Sequence, residues 1–271
     1  MDFDMTARAR GAAVAALAGA VAVSLATPRA ASAQELETET ARLLKAGAVK
    51  GGAGFEYQTS ADGSESALPL FIEGGLLDRL ELVIEPVAYT AIRPRVGART
   101  AGPGDVEITL VGLALEERPW LPALAVAAEV KVPTAKNASI GTGKYDYAGY
   151  LILSKRFGRL DTHFNAAYTV VGKPAGIPVN NIFSVAAAAR FFASERYHLF
   201  AEILANTAAT PEAEGAGGMG VTPELAGNEL VGTVGAGFYI VPSVLLSLGV
   251  SYDNNQAILI HPGVIIAHAF L

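Results

Sequence analysis

The feature that most constrains this chain is a two-residue alternation of apolar and polar side chains that recurs along most of its length. Over residues 160–171 one parity reads Leu160, Thr162, Phe164, Ala166, Tyr168, Val170, and the other Asp161, His163, Asn165, Ala167, Thr169, Val171. Successive side chains of a strand point to opposite faces, so the segment has one apolar face and one mostly polar face. The pattern returns as Leu124, Val126, Ala128, Val130, Val132 against Ala125, Ala127, Glu129, Lys131. Leu80-Leu82-Ile84 oppose Glu81-Val83-Glu85, and Tyr197-Leu199-Ala201-Ile203 oppose His198-Phe200-Glu202. The polar parity is weak over residues 184–192 and 230–240, which leaves those two registers open.

Turn signals divide these runs. Short ones stand at Gly74-Gly75-Leu76-Leu77-Asp78-Arg79, Glu117-Arg118-Pro119, Gly158-Arg159, Ser194-Glu195-Arg196 and Pro242-Ser243. Longer polar stretches lie between them at residues 94–104, 133–143, 172–181 and 207–227. Tight turns on one side and long loops on the other are the signature of a strand-built membrane protein. The spacing predicts about 12 strands, with connections, at a length suited to tilted bilayer strands. In hydrocarbon every backbone N–H and C=O must be paired, which only closure of the sheet achieves. The expected fold is therefore all-β, a closed antiparallel transmembrane β-barrel. An even strand count puts both ends of the chain on one side.

Composition fits that reading. Hydrophobic residues make up 51% of the chain and the mean hydropathy is +0.36. Beyond the N-terminal leader, no run of about 18 apolar residues supplies a membrane helix. Strands resolve the tension. The absence of cysteine rules out a disulfide framework and thiolate metal sites, and a net charge of −6 gives no sign of nucleic-acid binding. Arg8 and Arg10 precede an apolar stretch at residues 11–25, and Ala31-Ser32-Ala33 forms a small-x-small cleavage pattern. The apolar stretch is shorter than the roughly 20 residues of a spanning helix. Asp2 and Asp4 are foreign to a basic leader and make Met5 a candidate start. The expected organisation is a signal peptide at 1–33, a short helical-looking segment within 34–48, and a barrel at 49–271, located in the bacterial outer membrane.

On these registers the face turned from lipid carries Glu73, Glu81, Glu85, Glu107, Glu129, Lys131, Arg156, Asp161, His163, Asn165, Arg190, His198 and Glu202. Lysine or arginine facing acyl chains costs roughly 2–4 kcal/mol at the midplane, so the register that turns the charges inward is preferred. Two readings of that lumen stand side by side. One is a polar, acidic channel that favours cations or polar solutes, and the other is a salt-bridged plug that fills the barrel. Ser154, His163 and Asn165 come together across the Gly158-Arg159 hairpin, yet on the lumen face, away from lipid substrate, so no catalysis is expected. The histidines lack ligand spacing, and Gly102-Pro103-Gly104 and Gly215-Ala216-Gly217-Gly218 lie between strands without a following helix, so no metal or cofactor is expected. Tyr57, Tyr89, Trp120, Tyr145, Tyr147, Phe157, Tyr168, Phe191, Tyr197, Tyr239 and Tyr252 fall near strand ends, where aromatic girdles form. Among the loops, 207–227 reads as the most mobile and 133–143 as the one that folds inward.

Four blocks carry a family resemblance: Gly74-Gly75-Leu76-Leu77-Asp78-Arg79-Leu80-Glu81-Leu82, Gly102-Pro103-Gly104-Asp105-Val106-Glu107-Ile108, Glu129-Val130-Lys131-Val132-Pro133-Thr134, and Gly141-Thr142-Gly143-Lys144-Tyr145-Asp146-Tyr147 running on to Ser154-Lys155-Arg156-Phe157-Gly158. In order and spacing the set resembles the meta-pathway phenol-degradation family of bacterial outer-membrane proteins. The chain departs from the usual aromatic end of such barrels, since Leu271 follows Phe270. The resemblance implies an outer-membrane barrel that passes small molecules, hydrophobic or aromatic ones among them. Partners would be outer-membrane lipid, the barrel-assembly machinery and the solute. The competing readings are a non-conducting barrel that displays its loops, and a soluble periplasmic binder whose apolar parity is buried instead.

Overall fold

The computed structural model describes residues 36–175, 178–209, 228–254 and 256–269. The expected signal peptide, nearly all of loop 207–227 and the terminal Phe270 and Leu271 lie outside the described residues. Every regular element described is a strand: β1 (Ala48–Gly54), β2 (Glu56–Thr59), β3 (Gly63–Leu77), β4 (Leu80–Pro94), β5 (Thr100–Gly102), β6 (Val106–Leu115) and β7 (Ala123–Val132). There follow β8 (Asp146–Phe157), β9 (Leu160–Val170), β10 (Ile182–Phe192), β11 (Tyr197–Asn206), β12 (Glu229–Val241), β13 (Val244–Asp253) and β14 (Ile258–Ala269). Segments β1 and β2 both pair with β14 and β3, and β5 and β6 both pair with β4, so the 14 segments make 12 barrel strands. All pairings are antiparallel, and β1 against β14 closes the cylinder, Ala48 opposite Ala269. Both strand ends lie at the short-turn rim, as an even count requires.

The alternation is realised as wall chemistry. Leu151, Phe164, Val126, Leu199, Val234 and Leu248 stand outward and exposed, whereas Asp161, His163, Asn165, Glu202 and Arg190 on the other parity are buried. Outward aromatics form two rows. Tyr57, Tyr89, Tyr147, Tyr168 and Tyr252 lie near the long loops, and Trp120, Phe157, Phe191 and Tyr197 near the short turns. From Tyr147 to Phe157 along β8 is ten steps, which at ~3.4 Å per residue and a tilt of ~40° spans roughly 25 Å, the height of a barrel's apolar band. The charge on that face of β8, Lys155, reaches the turn, where its ammonium meets Glu117 Oε1 at 3.1 Å.

Several expectations are corrected. Residues 36–45 are not helical but run bent and extended, for a reason given below. Gly74 to Leu77 belong to β3, and the turn narrows to Asp78-Arg79. The stretch 94–104 contains β5, because β4 continues to Pro94 and its upper part needs a partner ladder. Tyr239 leaves the aromatic rows. It shares the inward parity of Thr233, with which it stands in unbroken register, and it packs on Phe71, Leu245 and Ile265. Short and long connections do not alternate strictly either, since 60–62 and 254–257 are short connections at the loop end. Loop 133–143 rests on the β5–β6 junction rather than entering the barrel: the Ala135 amide donates to Asp105 Oδ1 at 2.9 Å, and the Thr134 hydroxyl to the Gly104 carbonyl at 3.0 Å.

Candidate functional site: the barrel lumen

The lumen has two storeys. The storey next to the short turns is filled, and the filling begins with a segment that local propensity misassigns. Residues 36–46 thread into the barrel as a strap. From β1 the chain turns inward at Gly47, whose φ of 79° is a conformation glycine adopts freely. The Ala46 amide donates to Asp78 Oδ1 at 3.3 Å and the Leu44 amide to Glu81. Farther in, the Ala41 amide donates to Ser154 Oγ at 2.8 Å, the Glu39 amide to Asn165 Oδ1 at 2.5 Å, and the Thr38 amide to Glu202 Oε1 at 2.7 Å. Asn165 Nδ2 returns a bond to the Glu39 carbonyl at 3.0 Å. A helix would spend these amides on carbonyls four residues back, but inside the barrel lumen side chains accept them, so the extended form wins.

Apolar contacts are fewer. Ala41 joins Val83, Val111, Ala123, Ala125, Ala127 and Ile152, with Leu43 packed on that cluster, and Leu36 sits against Ala188 and Phe200. Gly75 permits the close approach, because a Cβ there would lie 2.1 Å from the Lys45 carbonyl oxygen. Gly75→Ala is expected to lift the strap. Overpacking at roughly 1–3 kcal/mol corresponds to a rise of about fivefold to 150-fold in the labelling of an Ala41→Cys marker by a charged maleimide. Unchanged labelling would show that the strap yields locally.

A charge network locks the strap to the wall. Arg42 donates to both oxygens of Asp161, at 2.7 and 3.0 Å, and to Glu117 Oε2 at 2.7 Å. Arg156 reaches Asp161 Oδ2 at 2.8 Å, and Arg190, fully buried, stands opposite Asp161 in the β9–β10 register. Glu117 lies in the β6–β7 turn, outside the wall. Partial burial pushes its carboxyl up, but hydrogen bonds from Arg42, the Arg156 amide and Lys155 hold it below the usual carboxylate range. A lowered folded-state value means its hold on Arg42 is present above the unfolded carboxylate range and is lost as pH falls through the folded value. Elsewhere on this storey Lys50 pairs with Glu73 at 2.5 Å. His198 packs among the rings of Phe192, Phe200 and Tyr239.

Of Ser154, His163 and Asn165, where no catalysis was expected, the first two meet. Ser154 Oγ lies 2.8 Å from His163 Nδ1. Yet Ser154 is 1% exposed and accepts the Ala41 amide, and Asn165 is engaged with Glu39, so these two hold the strap, with His163 behind Ser154.

The storey next to the loops holds a cavity of about 570 Å³, floored by Leu36, Glu37 and Glu39 of the strap. Its wall adds Glu56, Glu85, Glu107, Glu129, Glu202, Glu229 and Asp253, so nine carboxylates line it with no lysine or arginine among the described lining residues. Tyr150 donates to Glu129 Oε2 at 2.8 Å, as does Thr109 at 3.2 Å. Lys131 is held away from the cavity by Asp146 and, at 3.8 Å, Asp105. The residues expected on the lumen face thus divide. Glu85, Glu107, Glu129 and Glu202 line the cavity. Glu73, Glu81, Arg156, Asp161, His163, Asn165, Arg190 and His198 sit in the filled storey, and Lys131 in a side network. Sequence reasoning missed Arg42, Lys50 and the cavity's Glu56, Glu229 and Asp253. The last three had a legible signal, as polar residues on the inward parity close to strand ends.

No family model and no curated relative matches this chain. Among solved structures it is similar to the COG4313 outer membrane channel from Pseudomonas putida F1, at 11% identity and a TM-score of 0.68, covering 86% of this chain and 100% of that one. The NanC porin aligns at 10% identity and a TM-score of 0.56, over 80% of this chain and 98% of its own. The KdgM porin in complex with disordered oligogalacturonate gives 8% identity and 0.52, over 80% and 99%. At such identities the likeness establishes the fold, that of outer-membrane channel and porin barrels.

Proposed function

We propose that this protein is a passive channel of the bacterial outer membrane for small solutes, with a preference for cations. One observation carries the reading: a 570 Å³ cavity inside a closed barrel, lined by nine carboxylates and by no lysine or arginine among its described residues. Low-dielectric walls bearing one sign of charge concentrate counter-ions. The likeness to channel and porin barrels supports it. The motif resemblance adds the meta-pathway phenol-degradation family and small hydrophobic or aromatic molecules to the proposed cargo. Partners on this reading are outer-membrane lipid, the barrel-assembly machinery and the solute.

In planar bilayers under a KCl gradient, the reversal potential should take the sign of cation selectivity, with potassium favoured about threefold to tenfold. Glu85→Gln, Glu107→Gln and Glu129→Gln combined should move it toward zero. Anion selectivity, or indifference to the three changes, would refute the electrostatic part. The strap favours a second reading, a barrel that does not conduct and displays its loops. A persistent absence of unit currents from folded, inserted protein would support that one.

A further inference from the structure

The barrel wall is not of even height. Strands β3 and β4 have 15 residues each, against 10 to 13 in β6 to β14. They join at the short Asp78-Arg79 turn, so their extra length rises at the loop end, flanked there by β2 and β5.

The outward face of this raised wall changes character above the aromatic row. Tyr57 faces Ser66, and Tyr89 faces Leu68. Farther up, Ser64 faces Thr59 on one side and Arg93 on the other. One step beyond the last β4–β5 pair, Ile92 with Thr100, the same register sets Arg99 opposite Arg93. Thr59, Ser64, Arg93 and Arg99 thus make one line of hydroxyls and guanidiniums with no carboxylate in it. Both arginines are exposed, as is Arg95 in the turn between them. Among the described residues none of these three arginines enters a salt bridge. The acids nearby are placed apart from the line. Glu65 pairs with Ile92 on the inward parity, and Asp62 is in the β2–β3 turn, its carbonyl taking the Arg95 amide at 2.7 Å.

The wall therefore sorts charge by side, with carboxylates toward the cavity and guanidiniums toward the surroundings. Like charges directly opposite destabilise a sheet, so the facing guanidiniums gain from an anion set between them. The height selects the anion. Arg93 stands two residues above the level of Tyr57 and four above Tyr89, roughly 5–10 Å at ~3.4 Å per residue and a tilt of ~40°. The polar layer of a bilayer is roughly 5–8 Å deep on each side. Arginine takes phosphate oxygens in pairs, and the two hydroxyls add donors. Just below, Ser66, Ala91 and Ala101 share a level, small side chains on which a sugar ring can lie flush.

We propose that this line is a binding site for the phosphates of outer-leaflet glycolipid, the lipid A of lipopolysaccharide, seated on the outside of β2 to β5. The site rests on the channel reading only for its location, an outer-membrane barrel whose long loops face outward. It needs no conduction.

The test is retention of radiolabelled lipid A by immobilised protein folded in neutral detergent, with folding first shown by the heat-shifted gel band. Arg93→Gln, Arg95→Gln and Arg99→Gln combined should lower the affinity at least about tenfold. Lys136→Gln with Lys173→Gln, on other loops, should lower it less than about twofold. Lipid A stripped of its phosphates should bind parent and triple variant alike, and phosphatidylglycerol should bind the parent at least about fivefold more weakly than lipid A. If the triple variant does not fold, Arg99→Gln alone should still weaken binding at least about threefold. Parent-like retention by the arginine variants, an equal loss from the lysine pair, or retention that ignores the phosphates would overturn the site. Equal binding of phosphatidylglycerol would overturn its assignment to lipid A. A parent chain that gives no folded band before lipid is added fails as a barrel, an outcome distinct from a folded barrel that binds no lipid A.

Discussion

Removal of residues 36–46 is expected to raise unit conductance several-fold, and far more than any single wall substitution. The strap holds the filled storey together through backbone amides given to Glu202, Asn165, Ser154, Glu81 and Asp78. Each such bond contributes about 0.5–1.5 kcal/mol net, or about 1.5–3 kcal/mol to a charged acceptor. Its apolar packing in the lumen clusters comes from Leu36, Leu43 and Ala41, two large side chains and one methyl. Polar bonds therefore hold it, and water can replace them. Arg42→Ala, which cuts the strap's bonds to Asp161 and Glu117, should give a milder version, seen as flickering to a larger conductance. If the deletion conducts like the parent, the wall's own side chains block the lumen.

The second large effect is expected from Asp161→Ala. This carboxylate takes bonds from Arg42 and Arg156 and stands opposite Arg190, with its side chain 3% exposed. Removing it leaves Arg42 with Glu117 alone and takes away the carboxylate that faces Arg190, a loss of about 3–5 kcal/mol. The temperature or urea concentration at which the folded band on a gel converts to the unfolded one should fall sharply. Asp161→Asn should do nearly the same, because shape without charge does not answer the guanidiniums. Glu117→Ala, at the partly exposed rim, should cost only about 1 kcal/mol. Replacing Arg42 by Met in the Asp161→Ala background should restore part of the loss, since partners in one network are not additive. Equal costs for the Asp161 and Glu117 variants would mean that the network sets the strap's position but not the barrel's stability.

The wall was legible because its cause is local. A lipid-facing strand must alternate, so the parity of Asp161, His163 and Asn165, or of Glu129 and Lys131, already says which way each faces once closure is granted. Ambiguity remained only where both parities are small or apolar. In β10, Ala186, Ala188 and Arg190 face in while Val185, Ala187 and Ala189 face out, and a helical or shifted register would have had a similar composition. The strap was not legible. Read alone, Leu36 to Lys45 has no competitor for its amides, and helix is a fair inference. The side chains that claim those donors lie 113 positions away for Ala41 and 165 for Glu37.

By itself the amino-acid order determined the strand number, the closed sheet and the inward turn of the charges, because each follows from a two-residue period and the cost of bare backbone in lipid. Only the tertiary structure decided which inward charges line a cavity and which lock a strap. Those are relations across strands. Ladder register sets them, and nothing within a single strand encodes the height at which it will meet its neighbour.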